Sequence, residues 1–184
     1  MPMTTLDSVA ALVVIDLQKG ILAIPKAHPI EPVLENTAAL ARAFRRRGLP
    51  VVLVNVAGGA AGRTDRSFRR GDLPPDWNEL VPELGAESTD LRMTKRTWGA
   101  FTGTGLDEKL RALGVTQIVL TGVATSAGVG STARFAHELG YNVVLAADAM
   151  TDMDVEAHRI SVEKIFPRLG EVDSTANILK FLAG

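Results

Sequence analysis

Two charged side chains in this sequence stand where apolar runs end, and a third position of chemical interest follows another apolar run. Asp16 comes directly after residues 11–15, and Lys95 ends residues 91–95. The third position lies within residues 119–134. A carboxylate beside a lysine can act as a general acid or base, because the lysine charge and partial burial set its proton affinity. On spacing alone, a structural ion pair between Asp16 and Lys95 is the simpler interpretation.

Residues 119–134 begin as an apolar, β-branched run, pass through small residues and continue with helical spacing. The pattern predicts a strand that leads directly into a helix over residues 128–139. Free N–H groups at a helix start favour an anion or a developing oxyanion, so we expect an anion site at residues 128–130. Alternatively, Gly128 and Gly130 only let the helix pack tightly against the sheet.

These positions need a scaffold, and the rest of the chain alternates predicted strands with predicted helices. Short turns marked by glycine join the two kinds of element. Such alternation is typical of an α/β protein with a mostly parallel sheet that is covered on both faces, and ligands bind beyond the carboxyl ends of its strands. The predicted strands cover residues 11–15, 51–56, 91–95, 115–121, 141–147 and 171–173, and the predicted helices cover residues 30–47, 106–113, 128–139, 155–166 and 175–182.

Composition limits the classes of protein that remain. The 184 residues, 46% hydrophobic and 22% charged, fit one domain over residues 1–184. The formal net charge of -1 provides no basic field, so we expect neither a nucleic-acid nor a membrane partner. The absence of cysteine excludes disulfides, thiolate metal sites and cysteine catalysis. Without a signal-peptide pattern or a bilayer-length apolar run, a cytoplasmic protein is expected.

Histidine and serine offer weaker candidates. His137 and His158 are predicted on helix surfaces, and neither has a partner four residues away that would make a metal pair. His28 follows the first strand and stays a weak site candidate. A serine nucleophile at Ser126 or Ser131 stays open, although both serines are better explained by the start of the helix. We therefore expect no metal and no cofactor.

The long irregular segment over residues 57–89 is rich in glycine, proline, aspartate and arginine. A loop of this length in a compact domain is usually a lid or a binding segment. Its arginines can pair with a substrate carboxylate in bidentate fashion, and the alternative is that they are exposed loop residues. The arginines concerned are Arg63, Arg66, Arg69 and Arg70.

Three segments, residues 13–18, 95–104 and 121–133, resemble in order and spacing the signature segments of the isochorismatase-like hydrolase superfamily. The resemblance covers nearly the whole chain. It implies a three-layer α/β/α domain with a mostly parallel, Rossmann-like sheet of about six strands. It also implies a small-molecule substrate, assembly into a homo-oligomer, and a cis peptide bond between Val123 and Ala124.

Most members of the superfamily use an Asp-Lys-Cys triad, and the resemblance assigns Asp16 and Lys95 to its first two positions. The cysteine position falls on Gly128, where the usual G-V-x-T-N-x-C reads G-V-A-T-S-A-G. True isochorismatases are similar, since they carry glycine there and hydrolyse a vinyl ether without a covalent intermediate. The resemblance thus implies hydrolysis of a small anionic substrate, such as an enol ether, assisted by Asp16 and Lys95. The alternative is a catalytically silent homologue that binds a small ligand or forms an assembly.

The same resemblance, together with the position of each residue relative to the predicted strand ends, gives the expected substrate contacts. Among the aromatic residues, Trp77, Trp98 and Phe101 are candidates for either the pocket or a subunit interface. The predicted substrate-binding residues are Gln18, Arg63, Trp98, Phe101, Thr125, Ser126 and Val129.

Overall fold

A central strand, β1 (Ala10–Ile15), organises the fold. The computed structural model describes residues 2–65 and 73–183, so Arg66, Arg69 and Arg70 lie outside the described residues. Every residue of β1 is buried. Leu12 and Val14 contribute to one hydrophobic core, and Val13 and Ile15 contribute to a second core on the other face. This burial on both faces explains why β1 is an uninterrupted apolar run.

The sheet has six strands, and every neighbouring pair is parallel. The spatial order is β3-β2-β1-β4-β5-β6. This is the doubly wound order, in which strands are added to one side of β1 and then, from β4 onward, to its other side. Ligands in such sheets bind at that reversal, beyond the carboxyl ends of the strands. The remaining strands are β2 (Val51–Val56), β3 (Leu91–Lys95), β4 (Gln117–Val123), β5 (Asn142–Thr151) and β6 (Glu171–Asp173).

Helices cover both faces of the sheet, so the three-layer α/β/α fold that the resemblance implies is confirmed. Helices α2 (Ile30–Arg46) and α6 (Thr175–Ala183) pack on the core that contains Leu12, while α3 (Leu106–Ala112) and α4 (Gly130–Glu138) pack on the other core. None of the helices within residues 2–65 and 73–183 has the length and apolarity to cross a membrane. The shorter helices are α1 (Lys19–Leu22), α5 (Val155–Ile160), a 3-10 helix at Pro82–Leu84, a π-helical turn at Thr125–Val129 that leads into α4, and a continuation of α5 through Ser161–Ile165 and Phe166–Arg168.

Several element boundaries differ from the sequence prediction, and those at the carboxyl ends of β4 and β5 affect the site. Strand β5 continues to Thr151 instead of ending at residue 147. Asp148 lies in an irregular stretch between Leu145 and Met150, after which the pairing with β4 resumes. The Asp148 carboxylate accepts hydrogen bonds from the backbone N–H and the hydroxyl of Thr175, so it caps α6 and does not end the strand. Strand β4 also continues to Val123, and the following helical turn begins at Thr125 instead of Gly128.

The amino-terminal segment lies along the edge strand β6. The backbone N–H of Met3 donates to Asp173 Oδ2 at 2.7 Å, and the backbone N–H of Thr4 donates to Glu171 Oε1 at 3.1 Å. Strand β6 has only three residues, so these two contacts reach most of its length.

Part of the long irregular segment packs onto the start of α1. The backbone N–H of Gly20 donates to the carbonyl of Trp77 at 2.9 Å, and Gln18 forms an isolated antiparallel bridge with Leu80. The indole ring lies so close to Gly20 that an added Cβ would stand 2.0 Å from it. Trp77 therefore lies over the chain that immediately follows β1.

Gly122 lets β4 approach the end of β1. Its φ is +117°, and an added Cβ would lie 2.0 Å from the backbone oxygen of Ile15. We expect Gly122→Ala to reduce the free energy of unfolding by at least about 3 kcal/mol, because strain in the backbone adds to a clash with main-chain atoms. Denaturant unfolding measures this loss.

Gly114→Ala is the matched control, because Gly114 also has a positive φ, +73°, but no atom lies within 4 Å of an added Cβ. We expect a loss of about 1 kcal/mol there, from backbone conformation alone. Equal losses in the two variants would contradict the close approach of β4 and β1.

Candidate active site

The structure brings Asp16 and Lys95 together in a buried ion pair. Lys95 Nζ donates to Asp16 Oδ2 at 2.6 Å and to the carbonyl oxygen of Thr97 at 3.2 Å. Asp16 is 5% exposed and Lys95 is 2% exposed. One residue follows β1 and the other ends β3, so both lie at the carboxyl edge of the sheet, where the topology predicts a site.

Burial and the lysine act in opposite directions on Asp16. Burial raises the pKa of the Asp16 carboxyl, while the charge and the hydrogen bond of Lys95 lower it. Burial is the larger effect, and the net result is a pKa of about 6. Asp16 Oδ1 is buried and has no hydrogen-bond partner among the described residues. Asp16 thus has one oxygen that is held by Lys95 and one buried oxygen without a partner in the described part of the chain, on a carboxyl whose pKa is raised to about 6.

The backbone around Asp16 is fixed by its neighbours. Asp16 has φ +53°, a left-handed conformation that is uncommon outside glycine and is often found at functional sites. Gln18 is fully buried behind it. The side chain of Gln18 donates to the carbonyl oxygens of Val56 and Trp77 and accepts from the backbone N–H of Val56 at 2.7 Å. Its amide therefore braces the backbone, and a contact between Gln18 and substrate stays a prediction.

Gly128 faces the carboxylate of Asp16. A Cβ added to Gly128 would lie 3.2 Å from Asp16 Oδ2 and 3.0 Å from Cγ2 of Ile15. The cis peptide bond expected between Val123 and Ala124 is present at the start of this turn. The position that the resemblance matches to a catalytic cysteine therefore points at Asp16, and here it carries no side chain.

The structure argues against the anion site predicted at residues 128–130, because the helical turn begins earlier and uses two of its three N–H groups. The N–H of Val129 donates to the carbonyl of Ala124 at 3.1 Å, and the N–H of Gly130 donates to the carbonyl of Ala127. The carboxylate of Asp152 already lies at the start of the turn, where its Oδ2 accepts from the N–H of Ser126 at 2.6 Å. Two of the predicted donors are thus used within the protein, and an internal anion occupies the helix start.

Two histidines lie beside this turn. Thr125 is fully buried, and its Oγ1 is 2.8 Å from Nδ1 of His158. The rings of His158 and His28 meet edge to face with centroids 4.7 Å apart, and His28 Nδ1 is 3.1 Å from Thr151 Oγ1. Burial and the neighbouring His28 lower the pKa of His158, while Asp152 raises it.

The prediction that His158 is a helix-surface residue is therefore wrong, whereas His137 does lie exposed on α4. A search for partners four residues away cannot find a pair that tertiary structure assembles from two distant segments. Asp152 was missed because β5 was expected to end before Asp148. The nearest signal in the sequence is that the mainly apolar run that begins at Val143 resumes after Asp148 and continues to Met150, two residues before Asp152.

The remaining predicted substrate contacts are distributed unevenly. Trp98 is 67% exposed, Arg63 is exposed and Val129 is fully buried. Phe101 stacks on Tyr141 with ring centroids 5.9 Å apart, and Tyr141 precedes β5 at the amino end of the strands. Phe101 is thus engaged in packing against Tyr141, and a contact between Phe101 and substrate stays a prediction. Of the set, Thr125, Ser126 and Val129 belong to the turn that contains Gly128.

Residues 2–65 and 73–183 contain no group of three or more histidine, aspartate or glutamate side chains that could hold a metal ion.

Comparison with known proteins agrees with this fold. A family model described as "Isochorismatase domain" matches residues 10–177. The uncharacterized isochorismatase family protein YwoC of Bacillus subtilis is 43% identical over 177 residues, which are 92% of this chain and 92% of YwoC. The solved structure of an isochorismatase family protein from Burkholderia thailandensis is 43% identical, covers 98% of each chain and has a TM-score of 0.93. A Bacillus subtilis protein named isochorismatase is 28% identical over 74% of this chain and 46% of that protein.

The six-stranded parallel sheet, covered by helices on both faces, is thus the α/β/α fold of a hydrolase superfamily. A buried Asp-Lys pair lies at its carboxyl edge. The chain belongs to the isochorismatase family. It is accordingly a hydrolase-family enzyme.

The geometry predicts how Asp16 responds when its partner is removed. In Lys95→Met, we expect the pKa of the Asp16 carboxyl to rise above about 6, because the charge and hydrogen bond that lower this pKa are lost while the burial remains. Carbon NMR of the labelled carboxyl, followed through a pH titration, measures the pKa.

Lys109→Met, at an exposed position on α3, is the control and should leave the titration of Asp16 unchanged. A fall in the pKa of Asp16 in Lys95→Met would mean that water enters the site when Lys95 is lost. It would contradict the expectation that Asp16 stays buried without the lysine.

Proposed function

We propose that this protein hydrolyses a small anionic enol ether without a covalent intermediate, with Asp16 as the general acid and base. The observation that carries the proposal is the free, buried Oδ1 of Asp16 on a carboxyl whose pKa is raised to about 6. A proton donor at neutral pH needs such a raised pKa. The similarity to a protein named isochorismatase supports the substrate class.

The proposed reaction begins with proton transfer from the Asp16 carboxyl to the terminal carbon of the enol ether. The double-bond electrons form the new C–H bond, and the adjacent carbon becomes an oxocarbenium ion. Water adds to that carbon and loses a proton to the Asp16 carboxylate. The resulting hemiketal then breaks its bond to the leaving oxygen as its hydroxyl becomes the ketone carbonyl. The proton that the hydroxyl loses balances the proton that the leaving oxygen gains, and a ketone and an alcohol are released.

Lys95 has a defined part in this scheme. Its ammonium group, 2.6 Å from Asp16 Oδ2, stabilises the carboxylate that forms when the proton leaves. Because the same lysine lowers the pKa of Asp16, it keeps the carboxyl acidic enough to release the proton. The lysine thus balances the burial that would otherwise hold the proton on Asp16.

Gly128 fits a reaction that needs no enzyme nucleophile. The chain has no cysteine, and the space that a side chain at Gly128 would fill lies against Asp16 Oδ2. Water is sufficient to trap an oxocarbenium ion, whereas amide hydrolysis by the triad requires the thiolate. A Cβ at Gly128 would be crowded by Ile15, Asp16 and the carbonyl of Val123, so the glycine serves the close approach of the turn to Asp16. We infer that substrate lies beside this turn, with Thr125, Ser126 and Val129 along it and with Arg63 as the exposed cation that meets the substrate's negative charge.

Replacement of the acid tests the proposal. We expect Asp16→Asn to reduce turnover of isochorismate and related enol ethers by at least about 100-fold, because the amide cannot donate the proton that general acid catalysis supplies. Steady-state assays of product release measure the loss. Asp107→Asn, on α3 and partly exposed, is the control and should keep wild-type turnover.

Turnover that survives in Asp16→Asn would overturn the mechanism. A wild-type protein that binds a member of an enol ether, amide and ureide panel but converts none of them would favour the catalytically silent alternative.

The acid role also fixes the direction of the pH dependence. The protonated form of Asp16 is the active one in the first step, so we expect kcat/KM to fall as the pH rises through about 6, the pKa of this carboxyl. A pH–rate profile with a good substrate measures it. A rate that instead rises through pH 6 would identify Asp16 as a base in the rate-limiting step and contradict its role as the acid.

A further inference from the structure

We propose that His158 is a positioning residue: by holding Thr125, it keeps the turn Thr125–Val129 against Asp16 and so keeps water away from that carboxyl. The proposal rests on the proposed function only for its catalytic readout. Its structural readout, the titration of Asp16, needs no substrate.

A continuous set of contacts joins His158 to Asp16. His158 Nδ1 lies 2.8 Å from Thr125 Oγ1, and Thr125 is fully buried. Three residues further along the same helical turn, the α-carbon of Gly128 is so close to Asp16 that an added Cβ would be 3.2 Å from Oδ2. A shift of Thr125 therefore moves the backbone that covers Asp16.

The imidazole of His158 is itself held from behind. Its ring meets His28 edge to face at 4.7 Å between centroids, and His28 is anchored by the 3.1 Å contact with Thr151. Asp152 holds Ser126, the residue that follows Thr125 in the turn. Its Oδ2 accepts from the N–H of Ser126 at 2.6 Å, while its Oδ1 accepts from the N–H of Met153 at 2.8 Å. The start of the turn is thus fixed by two side chains from outside it.

The charges around His158 favour a neutral ring. The titratable groups that face it are His28, from the segment before α2, and Asp152, from the end of β5. The turn Thr125–Val129, which also packs against α5, has no titratable side chain. Burial and, to a smaller extent, His28 lower the pKa of His158 below its ordinary value, against the opposing effect of Asp152, so the neutral ring is favoured. A neutral imidazole makes the contact with Thr125 without a second charge in the site.

The experiment compares the titration of the Asp16 carboxyl, by carbon NMR, in the wild type and in His158→Ala. We expect the pKa of Asp16 to fall from about 6 towards 3.8, because the loosened turn admits water. The pH–rate profile should shift with it, and kcat should fall more than KM changes. His158→Asn, which keeps a polar atom near the Nδ1 position, should restore part of both.

His137→Ala is the matched control, because it removes an exposed histidine on α4 and should leave the titration of Asp16 unchanged. Thr125→Val removes the hydroxyl from the other end of the contact with little change of shape. It should shift the pKa of Asp16 in the same direction, and it serves as the test if His158→Ala fails to fold.

A purely structural role for His158 predicts a different result: lower thermal stability with an unchanged pKa of Asp16. That result in either His158→Ala or Thr125→Val would overturn the proposal. If the pKa of Asp16 shifts as expected while Asp16→Asn retains turnover, the positioning role stands and the proposed function fails.

Discussion

The ion pair between Asp16 and Lys95 is the interaction on which the rest of the site depends. Two opposite charges are buried at the end of a sheet, where neither is well hydrated, and they persist because each stabilises the other. The lysine does not fully offset the cost of burying the carboxylate, since burial raises the pKa of Asp16 more than Lys95 lowers it. That imbalance makes Asp16 a group that can exchange a proton, whereas a fully compensated pair would be only structural.

The doubly wound sheet explains how residues that are 79 positions apart meet. Strands β1 and β3 are separated by β2 in the sheet, and their parallel direction brings both carboxyl ends to one edge. The turn after β4 completes the site from the other side of β1, where the strand order reverses. Gly122 and Gly128 both allow this turn to lie close to the end of β1, the first through its backbone conformation and the second through its missing side chain. The site is therefore built mainly from backbone proximity, with few side chains.

Much of this could be predicted from the sequence, because the signals are local. The apolar run of β1, the position of Asp16 at its end and the Lys95 terminus of β3 all follow from patterns a few residues long, and topology then brings the two side chains together. The start of the turn at Thr125 was not predictable in the same way, since the small residues there fit a strand end or a helix start equally well. His28 and His158 are 130 positions apart in the sequence, so their contact depends on the tertiary fold. The role of Asp148 as the cap of α6 could not be predicted either, because it depends on where Thr175 lies.

The amino-terminal segment beside β6 has a consequence for how the molecule behaves at high concentration. An edge strand with free backbone groups can recruit a strand from another molecule and begin aggregation. Here β6 is only three residues long, and the carboxylates of Asp173 and Glu171 hold the segment that contains Met3 and Thr4 alongside it. A foreign strand would have to displace that segment and expose two acidic side chains in order to pair. The segment that contains Met3 and Thr4 thus covers this edge of the sheet.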